Sequence, residues 1–199
     1  MDIRAEGPEP TPAERAAVDS VLGPAPAPEM RALHALPKAR HLLLPALLAV
    51  QARVGWVGPG ALATLCRRLD LPPAEAYGVA SFYHLIQTTP QPAAVAHICD
   101  DIACRLADAE GLCAAMEKSL GPEGGSWHRS PCLGRCERAP AALVLRTGEK
   151  PHASSLAPAT AADVAARLKG SGAPDPGLEE AIALVPQAGQ TELRLLKRI

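Results

Sequence analysis

Two stretches decide how this chain is read: Cys99-Asp100-Asp101-Ile102-Ala103-Cys104 and Cys132-Leu133-Gly134-Arg135-Cys136. The first pair of thiols encloses four residues, the second encloses three, and 27 residues separate the pairs. That interval is long enough for a helix and a return strand, so the fold is able to bring both loops to one place. Four converging thiolates in a small unit point to a bound metal. A structural zinc would take all four on one ion. A [2Fe–2S] cluster takes two on each iron, which suits two separated pairs. A set of plain reduced thiols is the third reading. A thioredoxin-type dithiol is disfavoured, because the chain has no Cys-x-x-Cys.

The two remaining cysteines fall into apolar stripes of expected helices. Cys66 follows Leu62 and Leu65 and precedes Leu69, while Cys113 belongs to the series Leu106, Ala109, Cys113, Met116 and Leu120. A free cysteine in such a stripe behaves as a small hydrophobe. Around the paired thiols, Arg105, Arg135 and Arg138 would stabilise an anionic centre, and Asp100, Asp101 and Glu137 oppose them unless they point to solvent. Gly134 lets the loop backbone approach the sulfurs, and Pro140 sets the exit into the next strand. His97, two residues before Cys99, is expected to be structural rather than a ligand.

Working outward, Thr11-Pro12-Ala13-Glu14 is a helix start with a capping box, and Gly23 is its stop. Three prolines between Pro24 and Pro28 make a stiff connector. A second helix is expected from about Lys38 to Val54, with Pro45 as a kink or first turn and Gly55 as the stop. A third follows Gly58-Pro59. A fourth follows Pro72-Pro73 and runs to His84; its Phe82, Tyr77 and Tyr83 are expected to form a packing centre. Beyond Pro92 the pattern becomes strand (Val95–Ile98), helix (to Leu120), strand (Trp127–Ser130), strand (Ala141–Leu145) and helix (Thr160–Leu168), a small α/β arrangement with a mixed sheet. Residues 170–178 are a linker, followed by a short helical piece, Leu178 to Leu184, and an amphipathic end, Leu193 to Ile199.

The chain of 199 residues is 48% hydrophobic but only 3% aromatic, so its core is built from Leu, Val and Ala. A net charge of −1 offers no field for nucleic acid or an anionic membrane. No apolar run approaches the roughly 20 residues that span a bilayer, and the start Met1-Asp2-Ile3-Arg4-Ala5-Glu6 is not expected to be a secretory signal. A cytoplasmic location is expected, where thiols stay reduced or metal-bound. There is no Gly-x-Gly-x-x-Gly and no phosphate loop, so NADH and FMN are not expected on this chain, and no catalytic residue is evident.

Leu44-Pro45-Ala46-Leu47, Val50-Gln51, Gly55 and Pro73-Ala74-Glu75-Ala76-Tyr77-Gly78-Val79-Ala80-Ser81-Phe82-Tyr83 resemble the small iron–sulfur subunit of bacterial NADH:quinone oxidoreductase (complex I). The pattern Cys99, Cys104, Cys132-Leu133-Gly134, Cys136 and Ala139-Pro140 is similar to the [2Fe–2S] site of that family. The likeness runs from about Leu42 to Leu168. It implies an α/β chain with an N-terminal helical bundle followed by a thioredoxin-like [2Fe–2S] ferredoxin domain, with all four loop cysteines as cluster ligands. It further implies single-electron exchange with a partner subunit, or a fused domain, that binds FMN and NADH. Related subunits occur in NAD-linked formate dehydrogenases and hydrogenase diaphorases. The expected organisation is an N-terminal helix and connector (1–36), a helical bundle (37–90), the ferredoxin domain (91–170) and a tail (171–199). Three departures stand out. The segment between the cysteine pairs is short. Glu149 to Leu156 does not match the customary turn. The tail from Gln187 to Arg198 resembles the joint where such a domain is fused ahead of an FMN-binding subunit.

Overall fold

The computed structural model describes residues 7–25 and 39–171. The helical piece at Leu178 to Leu184, the amphipathic end and most of the proline connector lie outside the described residues.

The first half is helical. Helix α1 (Pro12–Leu22) opens on the expected capping box: the Glu14 N–H donates to Thr11 Oγ1, and Glu14 Oε2 accepts from the Thr11 N–H at 2.8 Å. This reciprocal pairing explains why a carboxylate as buried as Glu14 is tolerated. A 3₁₀ turn (Arg40–Leu42) leads into α2 (Leu43–Val54), so Pro45 stands in its first turn, where no intrahelical N–H is needed. Gly55, at φ 93°, ends it. Helices α3 (Pro59–Leu69) and α4 (Pro73–Phe82) each begin on a proline. Val18, Leu47, Val50, Leu65 and Ala76 are fully buried among these four helices. Arg68, on α3, pairs with Asp19 and donates to the carbonyl oxygens of Leu22 and Gly23, so it caps the C-terminus of α1 from a neighbouring helix.

One expectation fails here. Phe82 is 80% exposed and Tyr83 42%. The inward positions of α4 are Ala76 and Ala80, one turn apart, and the helix stops at Phe82, so the last aromatics project off its end. Only Tyr77 packs partly on the helical core.

The second half is a four-stranded sheet in the order β2-β1-β3-β4, formed by β1 (Ala94–Cys99), β2 (Trp127–Ser130), β3 (Ala142–Arg146) and β4 (His152–Leu156). Strand β1 runs parallel to β2 and antiparallel to β3, and β3 runs antiparallel to β4. The parallel pair requires a crossover. It is supplied by a short helix α5 (Ile102–Leu106) and by α6 (Ala109–Leu120). Helix α6 packs beside the last helix, α7 (Ala161–Leu168), on the face that carries Ala96, Ile98, Trp127 and Val144. The Trp127 indole N–H donates to the Gly121 carbonyl, which ties the end of α6 to the start of β2.

Two sequence readings need correction. Leu106 does not continue the α6 stripe; it ends α5 and is 87% exposed. Asp108, at φ 62°, breaks the helix between them and caps α6 through the Gly111 N–H. Strand β4 was not expected at all. It is an edge strand of the sequence His-Ala-Ser-Ser-Leu, polar because one of its sides faces water.

The halves are joined where α2 ends. The Gly148 N–H donates to the Ala52 carbonyl at 3.2 Å, and Arg53 pairs with Glu149 at 2.7 Å. None of the described helices is long and apolar enough to cross a membrane.

Candidate metal centre

Each of the four cysteines singled out above is held by a different local device. Cys99 is the last residue of β1, its N–H bonded to the Ala141 carbonyl at 2.9 Å. Asp101 caps α5 through the Ile102 N–H, which places Cys104 inside that single turn of helix rather than in a loop. Cys132 lies beyond the end of β2, and Cys136 starts a 3₁₀ turn (Cys136–Arg138). Gly134, between them, adopts φ 74°, where a side chain is disfavoured, and its N–H donates to Cys132 Sγ at 3.4 Å. The Ala139–Pro140 peptide that follows is cis.

The two pairs meet at the end of the sheet. Cys99 and Cys104 are 2% and 1% exposed and share an apolar pocket with Ala109 and Ala141, with Leu133 and Ala139 against it. Cys132 and Cys136 are exposed, their sulfurs 3.3 Å apart. Burial, followed by the hydrogen bond with Cys99, pushes the Cys104 thiol up to about 11. The hydrogen bond with Cys132 raises Cys136, and the charge of Cys99 adds to that effect. Cys104 and Cys136 therefore resist ionisation until a cation replaces their protons. Among the described residues no three His, Cys, Asp or Glu side chains surround a single ion position. The thiols come instead as two pairs, the donor set that a two-iron cluster uses.

The flanking charges largely neutralise each other. Arg105 donates to the Asp100 carbonyl at 2.7 Å and lies 3.7 Å from its carboxylate, and Arg135 pairs with Glu137 at 3.5 Å. Arg129 is the residue that sequence reasoning missed. It grips Glu110 with two bonds of 2.8 and 2.9 Å and also reaches Asp100 at 3.5 Å and Glu123 at 3.7 Å. It thereby ties β2 to α6 and to the first cysteine segment. Its bond to Glu110 holds that carboxyl below the usual range. No signal in the sequence marks it, since Glu110 and Asp100 lie 19 and 29 residues before it in the chain.

His97 is not part of the thiol set. It is buried in β1, stacked on His128 and edge-on to His84, as befits a structural residue. Cys66 and Cys113 are buried in the helical and sheet cores, where burial raises both thiols. Neither belongs to the apolar pocket that holds Cys99 and Cys104.

Comparison with known proteins places this geometry. The thioredoxin-like [2Fe–2S] ferredoxin family profile matches residues 30–169. NADH-quinone oxidoreductase subunit 2 of Thermus thermophilus is 32% identical over 121 residues, which are 57% of this chain and 65% of that protein. An NADH-quinone oxidoreductase subunit of Escherichia coli is 30% identical over 120 residues, 56% of this chain and 72% of its own. An NAD⁺-reducing [NiFe]-hydrogenase structure superposes with a TM-score of 0.50 and 26% identity, over 64% of this chain and 22% of the hydrogenase chain. This chain thus spans about two thirds of the first relative and under a quarter of the hydrogenase chain. A profile match over most of the length, two facing thiol pairs and a mixed sheet with helices on one face lead to one conclusion: the chain belongs to the thioredoxin-like [2Fe–2S] ferredoxin family.

Proposed function

We propose that this chain is an electron-transfer subunit or domain of an NADH-linked oxidoreductase, in which Cys99, Cys104, Cys132 and Cys136 would hold one [2Fe–2S] cluster. The observation that carries the reading is the convergence of the two pairs at one end of the sheet, inside a chain of this family. Bound there, the cluster supplies one-electron transfer. The chain's own residues do the rest. Ala109, Ala141 and Leu133 keep water from the inner pair. The Gly134 N–H is directed at Cys132 Sγ, where it offsets negative charge that reduction adds. The exposure of Cys132 and Cys136 leaves that side open to an electron partner.

That partner is an FMN- and NADH-binding subunit or fused domain: the names of the NADH-quinone oxidoreductase relatives and of the NAD⁺-reducing hydrogenase support the nicotinamide part by analogy, and the flavin is what the resemblance noted in the sequence implies. In the complex I setting the chain would work at the cytoplasmic face of the membrane through its partners. The likeness to the NAD⁺-reducing hydrogenase supports a second setting, a soluble NAD-linked diaphorase. Residues 171–199 are proposed to contact, or lead into, the flavin-binding unit. A zinc-stabilised interaction module is the competing class.

Iron and sulfide analysis of anaerobically purified protein, with EPR after reduction, tests the reading. Two irons and two sulfides per chain, with a one-electron EPR signal, are expected. A colourless protein with one equivalent of zinc would refute it.

A further inference from the structure

The four thiols of the site are far from equivalent. Cys99 is locked by a strand hydrogen bond and Cys104 by a helical turn, and both are shut off from solvent. Cys132 and Cys136 are exposed, with sulfurs 3.3 Å apart across a three-residue loop. Cys132 belongs to no helix or strand, and the loop between them pivots on a glycine at φ 74°. A disulfide needs sulfurs at about 2.0 Å, so closing this gap asks for only about 1 Å of movement in that loop.

We propose that Cys132 and Cys136 form a peroxide-sensitive dithiol whenever the site is without metal: the outer pair closes to a disulfide, while Cys99 and Cys104 remain thiols. This rests on the four-thiol reading of the site given above. The oxidant is hydrogen peroxide. Cys132 gives up its proton and attacks as the thiolate, the O–O bond breaks, a sulfenic acid forms, and the leaving hydroxide takes up that proton as water. The neighbouring thiol then displaces the sulfenic oxygen: the S–S bond forms, the S–O bond breaks and water leaves. Two electrons pass from the two sulfurs to one peroxide, which ends as two waters. The buried pair is spared because the oxidant cannot reach it. Half of the ligand set is then reversibly blocked, and a dithiol reductant restores it. The bridge keeps the accessible sulfurs at a reversible stage of oxidation, short of sulfinic acid.

The test begins with the full-length chain carrying its cluster. Iron is removed with a ferric chelator under argon, and half of the sample receives one equivalent of hydrogen peroxide. Thiols are alkylated in denaturant and mapped by mass spectrometry. Without peroxide, all six cysteines should be alkylated. With it, four should be, with Cys132 joined to Cys136. The oxidised half should rebuild no cluster until dithiothreitol is added. In Cys136→Ser, Cys132 should be trapped by dimedone as the sulfenic acid. A bridge between the inner and outer pairs, full alkylation after peroxide, sulfinic acid with no bridge, or no dimedone adduct overturns the proposal. Failure of the cluster reading shows itself separately, as absence of iron and sulfide in the starting protein, and the peroxide arm is unaffected by it.

Discussion

His128 stacks on His97 across two parallel strands, with 5.8 Å between ring centroids and 23° between planes. The register aligns the two residues, and His84 closes the group from the end of the helical half. His97 is 2% exposed, and its Nδ1 has no hydrogen-bond partner. Burial, then the neighbouring His128 and His84, push it from 6.5 down to about 4.

A folded-state value below the unfolded one means that the unfolded chain binds the proton first as pH falls. Stability is therefore complete above about 6.5 and is lost as pH drops toward 4, by on the order of 3 kcal/mol. Denaturation midpoints between pH 4 and 8 should fall more steeply for the wild type than for His97→Leu. Parallel curves would show that another group titrates.

Gln51 is a buried polar residue on a helix of otherwise apolar inner positions. Its Nε2 donates to the Gly55 carbonyl at 2.7 Å, and its Oε1 accepts from the Gln87 N–H at 2.8 Å. It joins the end of α2 to the segment that leads into the sheet. Gln51→Leu leaves two backbone groups unpaired and should cost about 1–3 kcal/mol, whereas Gln51→Glu retains the acceptor and loses the donor. Urea denaturation should rank the wild type above both, with the leucine variant below it despite its greater hydrophobicity.

The cysteines should divide into two sets. Cys99→Ser and Cys132→Ser are expected to abolish the native cluster, measured as iron, sulfide and visible absorbance. Cys66→Ala and Cys113→Ala should retain it at about 1 kcal/mol of stability each, since they lose only packing in the helical and sheet cores. A full native cluster in Cys132→Ser would show the ligand assignment to be wrong.

Gly134 combines a left-handed backbone with an N–H on sulfur. Gly134→Ala should cost about 1 kcal/mol and shorten the lifetime of the assembled cluster, and Gly134→Asn should cost less, because Asn tolerates that conformation. A side chain there would meet no atom within 4 Å, so equal losses in the two variants would show that backbone strain is not the cause.

Most helix boundaries were legible because they are set locally: Thr11 with Glu14, Pro12, Pro59, Gly55 and Gly121 act within a few residues of the ends they define. Strand β4 was not legible, because an edge strand is recognised by its pairing with β3, and that pairing is not local. The aromatics at the end of α4 misled for a related reason. Large apolar side chains suggest a core, but whether Phe82 faces one depends on where its helix stops and what lies beyond.

The same division applies to the paired cysteines. By itself the sequence determined that four thiols stand in two close pairs, apart from two more in helical stripes, because spacing along the chain is enough to place neighbours together. Only the tertiary structure decided that the pairs are unequal. Cys99 and Cys104 are sealed by Ala109, Ala141 and Leu133, and Cys132 and Cys136 are left at the surface. Arg129 clamps α6 and the first cysteine segment from β2 through carboxylates 6 to 29 residues away. Burial and charge pairing between distant segments are properties of packing, which no local pattern encodes.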